Sequence, residues 1–270
     1  MQFAKPIPFK EALAKLDSKT LITSGLTSSQ WSDVPVALRE RAFFSSQVES
    51  ARFLQRGKDS ITDFLEGNRE TLENGQIALK TGSRSEFVAQ LQAFAVAEGM
   101  GPLDPKDAGT IKDITSQRRL ELIFDTQVRQ AHDYGYWQQG QDQDVLDAYP
   151  AQRFIRVMEV KEPRDGHAQF EGEVRLKSDL GFWNTLNQDF GVPWGPWGWG
   201  CGHDVEDVDR AEAETLGLIQ PGETVEGAEE SFNEGLEAST EGLDGDLLQT
   251  ILGAFGSQIR QVGDRLEWSQ

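Results

Sequence analysis

The spacing of apolar positions predicts helices over most of the first half of the chain. Phe9 to Leu16 reads as a short helix and Trp31 to Val34 as a turn. From Val36 to about Leu72 the apolar residues drift along positions three and four apart: Ala37, Ala42, Phe43, Val48, Ala51, Phe53, Leu54, Ile61, Phe64 and Leu65. That is one helical face, with a break expected near Gly57. Ile77 to Gly82 reads as a helix end closed by glycine. Ser83 followed by Glu86 is a capping box that opens the next helix, whose buried face would be Phe87, Leu91, Phe94 and Ala95. Gly99 to Asp107 is a loop. A long helix follows from about Thr115 to Gln139, with Leu120, Ile123, Phe124, Val128 and Ala131 as its stripe and Tyr134 and Trp137 near its end.

After Pro150 the texture changes. Phe154 to Val160 and Phe170 to Leu176 read as strands, with Pro163-Arg-Asp-Gly166 as a turn. Near the end, Leu247, Leu248, Ile251, Leu252, Phe255, Ile259 and Val262 predict an amphipathic helix. No repeat of 20 to 50 residues is visible. The fold class this predicts is α+β and predominantly helical. A helical domain (1–150) is followed by a small loop-rich α+β module (151–210), an acidic flexible linker (211–245) and a C-terminal amphipathic helix (246–270).

Composition sharpens that division. The chain has 270 residues, 26 Lys+Arg against 45 Asp+Glu, and a net charge of -19. Residues 1–150 carry 17 basic and 21 acidic side chains, residues 151–200 carry 6 and 7, and residues 201–270 carry 3 and 17. The last segment alone therefore contributes -14 of the -19. Gly222 to Gly245 is rich in Gly, Glu, Ser and Thr and poor in large apolar residues, the composition of a segment that cannot offset its ordering entropy by burial. The acidic balance argues against a nonspecific binder of duplex DNA, which carries a basic footprint. No apolar run approaches the roughly 18 residues of a membrane span. Met1 to Lys10 lacks the apolar stretch of a secretory leader, so none is expected. A single cysteine, Cys201, excludes an intramolecular disulfide framework.

Four of the seven tryptophans, Trp183, Trp194, Trp197 and Trp199, fall close together, three of them in the tract Gly191-Val-Pro-Trp-Gly-Pro-Trp-Gly-Trp-Gly-Cys201. So much glycine and proline predicts a loop held by its buried rings. Beside it lie Cys201 and His203, two apart, with His167 34 residues before the cysteine. Residues two apart point the same way in an extended stretch. One thiol and two imidazoles suit Zn2+, with Asp204, Asp207 or water as a fourth ligand. Cys201 could instead be a nucleophile served by His167 or His203, or a small buried thiol among aromatic rings. No HExxH, GxSxG or phosphate-cradling glycine loop is present. His132 falls mid-helix.

The order of these features resembles the phage Mu protein F-like minor head proteins, the head-morphogenesis family that includes the SPP1-type minor capsid protein. Phe9 to Lys19 resembles the family's opening helix. Arg41 to Ser50, Ala78 to Phe87, and Arg119 to Arg129 running on to Tyr134-Gly-Tyr-Trp137 resemble its later helical segments. The match continues through Phe154-Ile-Arg156, Pro163-Arg-Asp-Gly-His167, Gly172, Phe182-Trp183, Pro193-Trp194 and Gly198-Trp-Gly-Cys201, so that it spans residues 9 to 210. Many relatives end this motif in Cys-x-Cys, where this chain has Cys201-Gly-His203. Arg164 stands where other relatives carry a further cysteine.

The resemblance implies a non-enzymatic minor head protein of a tailed phage or prophage. It would lie inside the capsid in few copies, and in host cytoplasm during assembly. Its partners would be the portal protein and other capsid or scaffold proteins, with no membrane and weak or no direct DNA binding. It would assist assembly and genome packaging or delivery. Gly172, Phe182, Trp183, Trp194, Gly198 and Trp199 would be structural motif residues, with no catalytic or cofactor-binding residue among them. No cofactor is required, and zinc is the ion that His167, Cys201 and His203 would accept. The competing class is a metal-dependent hydrolase or transferase built on that trio.

Overall fold

Helix caps and alternating strands set the architecture of the computed structural model, which describes residues 9–159, 165–199, 201–228 and 237–269. Helix accounts for 46% of it and strand for 15%, so the fold is α+β and predominantly helical. The chain divides into two units: residues 1–131 with 233–270, and residues 132–232. The helix Gln117–Gly140 begins in the first and ends in the second. This division differs from the four segments that the sequence predicts.

In the first unit, helix Ala51–Glu66 starts where the Ser50 hydroxyl accepts the Phe53 N–H and stops at Gly67 in the left-handed region (φ 64°). Gly57 does not break it. That glycine sits against Phe43 and Leu91, within ordinary contact distance of a Cβ placed there. Helix Arg84–Ala97 opens on Ser83, whose hydroxyl accepts the Glu86 N–H. The Glu86 carboxylate reaches back one residue beyond the box, to the Gly82 N–H at 2.6 Å. These two helices and the first turns of Gln117–Gly140 enclose a core of Phe43, Phe53, Leu54, Ile61, Phe87, Leu91, Leu120 and Phe124.

A second core in this unit gathers Ile22, Trp31, Leu38, Phe44, Ile251, Phe255 and Leu266. Trp31 stacks on Phe44 with ring centroids 3.8 Å apart. Trp31 lies in a helix, Ser28–Asp33, started by a Thr27/Gln30 capping box, where a turn is predicted. The continuous helix expected from Val36 onward is interrupted: after Val36–Glu40 comes a strand, Ala42–Phe44, paired in parallel with Thr20–Ile22. Three consecutive buried residues there leave no exposed position for a helical period to mark. Residues 77–79 are a strand paired with Arg69–Thr71, not a helix end. The C-terminal helix stops at Phe255, and Ile259–Val262 and Arg265–Trp268 form a hairpin around Gly263-Asp264. Glu237–Ser239 adds a third strand to that hairpin, inside the segment predicted to be a linker.

Lys19 is buried in this unit, 4% exposed, and donates to the side-chain oxygens of Gln127 and Gln130. Burial first, and the nearby Lys58 ammonium second, push its pKa down to about 7. Above that value the folded chain releases a proton that the unfolded chain keeps up to its ordinary pKa near 10.5, so stability rises with pH across this window. Urea titrations at about pH 7 and pH 9 should therefore show wild-type protein gaining stability relative to Lys19→Met. Parallel pH profiles of the two proteins would contradict this.

In the second unit, Ala151–Arg156 is the central strand of a three-stranded antiparallel sheet, flanked by Val174–Leu176 and His203–Val208. The strand predicted over 170–176 is thus shorter, and that predicted from Phe154 starts earlier; Val160 lies outside the described residues. Alternation divides the sheet. Ala151, Val208, Val174 and Leu176 pack with Leu146, Ala213, Ile219 and Val225 on one side. Phe154 and Val205 face the tryptophan loop on the other. Residues 210–228 are therefore not a bare linker. They hold helix Arg210–Thr215, and Arg210 bonds the Asp147 and Glu223 carbonyls. Residues 229–236 of the predicted linker lie outside the described residues.

Candidate metal centre

Three short pieces of chain bring the site together within the second unit. The sheet register sets Arg156 opposite His203, the first residue of its strand. Cys201 precedes that strand at the end of the tryptophan loop, and His167 lies in the short helix Asp165–Ala168. His167 is 6%, Cys201 4% and His203 1% exposed, and their ligand atoms lie within 4.8 Å of one another. His167 Nδ1 is 3.3 Å and His203 Nδ1 3.2 Å from the Cys201 sulfur.

The far side of each imidazole is also held. His167 Nε2 meets the Leu186 carbonyl at 3.1 Å. His203 Nε2 meets Glu171 Oε1 at 2.9 Å, and Glu171 is ion-paired with Arg156. Hydrogen bonds from His203 and then Arg156 hold the Glu171 carboxyl below the usual carboxylate range. The Phe154 ring lies parallel to the His203 ring, centroids 4.7 Å apart, and meets the edge of His167.

The tryptophan loop is fixed by burial, as its composition predicts, but the rings form two groups. Trp183 and Trp197 pack with Phe154, Leu186 and Cys201. Trp194 belongs to a neighbouring group with Trp137, Phe190 and Val192, against which Trp199 is half-buried. Backbone groups of the loop are satisfied by two side chains that no motif announces. Asn187 Nδ2 donates to the Trp194 and Pro196 carbonyls at 2.6 and 3.3 Å, and Asp189 accepts the Trp199 N–H at 3.0 Å. Gly195 makes room for Asp133, whose Oδ2 would lie 2.5 Å from a Cβ placed there, so a larger residue would displace that side chain.

The other motif residues have definite places. Gly172 adopts a φ of 85°, which lets its N–H reach the Phe154 carbonyl at 2.8 Å. Phe182 packs edge-on against Phe170 and Trp183. The Gly198 carbonyl accepts the Cys201 N–H. The structure corrects the expected fourth ligands: Asp204 bonds its neighbour's N–H and Asp207 pairs with buried Lys177 at 2.8 Å, and among the described residues neither joins the trio. Arg164 and Gly200 lie outside the described residues.

Chemically, a thiol and two inward-facing imidazole nitrogens match the donor set of zinc. The row Cys201–His203–Glu171 also has the order of a nucleophile, its base and the base's orienter. The burial of the sulfur and the second imidazole on it favour an ion over an attacking thiolate. Comparison with models of known families, with curated proteins and with solved structures finds no match for the chain.

Proposed function

We propose that this chain is a minor head protein of a tailed phage or prophage, acting in head morphogenesis beside the portal inside the procapsid. One observation carries the reading. The residues that bear the resemblance between Phe154 and Cys201 are scattered in sequence, yet Phe154, His167, Trp183 and Cys201 meet around one buried centre. Gly172 meanwhile holds the backbone of Phe154. The convergence of an ordered string of motifs on one centre supports reading them as a single module.

The charge agrees with such a role. A net -19 repels phosphate, so a chain enclosed with packaged DNA would avoid adhering to it. The enzymatic alternative requires substrate to reach ligands that are at most 6% exposed. The experiment that tests the proposal is co-sedimentation of the purified chain with the portal ring of the same genome, with duplex DNA as the competing ligand.

A further inference from the structure

We propose that His167, Cys201 and His203 bind a zinc ion through Nδ1, Sγ and Nδ1, with the Leu186 carbonyl and the Glu171 carboxylate as positioning groups behind the two imidazoles. The assignment stands on the side-chain geometry and does not depend on the head-protein reading.

The hydrogen bonds behind the trio turn both imidazoles inward. A backbone carbonyl can only accept, so His167 carries its proton on Nε2, facing Leu186. Glu171, ion-paired with Arg156, is likewise an acceptor, so His203 carries its proton on Nε2. Both rings then turn Nδ1 toward the same sulfur, at 3.2–3.3 Å. One ion among the three atoms would take all of them as ligands. The thiol proton leaves to solvent, the sulfur becomes a thiolate ligand, and both Nδ1 atoms donate to the metal.

The distances fit zinc as well. Bonds of about 2.05 Å to nitrogen and 2.3 Å to sulfur, at a tetrahedral angle, place the two ligand atoms about 3.5 Å apart. The observed nitrogen–sulfur separations fall a few tenths of an ångström inside that value, and the two nitrogens, within 4.8 Å of each other, would close toward about 3.3 Å around the ion. Behind the ligands, the outer shell has the expected form. Metal-bound histidine almost always gives its other N–H to a carbonyl or carboxylate, which fixes tautomer and ring orientation. Here one ring has each kind of partner, and Phe154 stacked on His203 fixes that ring's plane. Soft thiolate with imidazole selects zinc over the hard cations. Such an ion would tie helix Asp165–Ala168 to the start of strand His203–Val208, segments separated along the chain by strand Val174–Leu176, helix Leu180–Leu186 and the tryptophan loop.

Elemental analysis of the untagged full chain, followed by replacement of the ion with Co2+, tests this. The expected result is one zinc per chain. The cobalt form should show a thiolate-to-cobalt charge-transfer band in the near ultraviolet, and Cys201→Ser should abolish that band. Glu171→Gln, which leaves all three ligands in place, should keep the band and weaken metal affinity by about 10–100-fold. If Cys201→Ser does not fold, the wild-type cobalt spectrum decides alone. Folded wild-type protein that takes up neither ion, or cobalt bound without the charge-transfer band, would overturn the assignment.

Discussion

Trp183→Ala is expected to destabilise the unit of residues 132–232 by about 3–5 kcal/mol. The indole is 0% exposed, packs on Phe182 and Trp197, and donates its N–H to the Leu176 carbonyl at 2.9 Å. An indole buries on the order of 200 Å², worth about 5 kcal/mol at roughly 25 cal/mol per Å². Truncation also removes one of the hydrogen bonds on the Leu176 carbonyl, which the Asp179 N–H shares, and opens a cavity between the sheet and the loop. Trp199→Ala, at a half-buried ring, should cost less than half as much. Denaturant unfolding followed by far-ultraviolet circular dichroism measures both. A loss below about 1 kcal/mol for Trp183→Ala would contradict the packing described for this unit.

Lys15→Met should have a comparable effect in the other unit, about 3–5 kcal/mol, because it leaves the buried Glu40 carboxylate with only the longer contact to Arg41. Lys15 and Glu40 form an ion pair whose side chains are 0% and 2% exposed, with Arg41 3.7 Å from the second carboxylate oxygen. The pair joins helix Lys10–Asp17 to helix Val36–Glu40. Desolvating two charges roughly cancels their attraction, so the pair as a whole contributes little beyond hydrophobic residues of the same volume. The double variant Lys15→Met/Glu40→Leu should therefore recover most of the lost stability. If it is as unstable as the single variant, the pair itself stabilises the fold and the two terms do not cancel.

Much of the helical half was legible because its periods are long and its caps local. Ser83 acts within one turn of chain, whereas Ser50 and Gly67, which bound helix Ala51–Glu66, lie inside the longer helical stretch expected over 36–72. Ala42-Phe-Phe44 was not legible, since three buried residues in a row suit a strand and a buried helix alike. The C-terminal hairpin did leave a signal: Gly263-Asp264 sits between two short runs, and Gly263 takes a φ of 60°. The apolar stripe of Leu247 to Phe255 outweighed it. Charge composition misled in the acidic quarter. His203-Asp-Val-Glu-Asp-Val208 is a strand despite its three carboxylates, because its buried residues, His203 and Val208, stand at its two ends and the carboxylates occupy half-buried or exposed positions between them. Ala213, Ile219 and Val225 suffice to anchor the segment after it.

The trio itself was legible through rarity, as one cysteine and two of three histidines in a chain of 270 residues. Its outer shell was not. Glu171 is one of 45 acidic residues, and the Leu186 carbonyl has no signature in sequence. Glu171 gains meaning only when the antiparallel register brings Arg156 beside His203, and the Leu186 carbonyl only when helix Asp165–Ala168 sets His167 against it. Asn187 is hidden for the same reason: an asparagine ending a short helix is common, and its hold on the Trp194 and Pro196 carbonyls depends on how the loop returns.

The central claim, that this chain works in a phage head beside the portal, is tested most directly by co-sedimentation with the assembled portal ring of the same genome. The chain should sediment with the ring at physiological salt. Under the same conditions it should bind duplex DNA weakly, in keeping with its net charge of -19. A chain that stays in the supernatant when the portal pellets, or that binds duplex DNA tightly with a steep salt dependence, would contradict it.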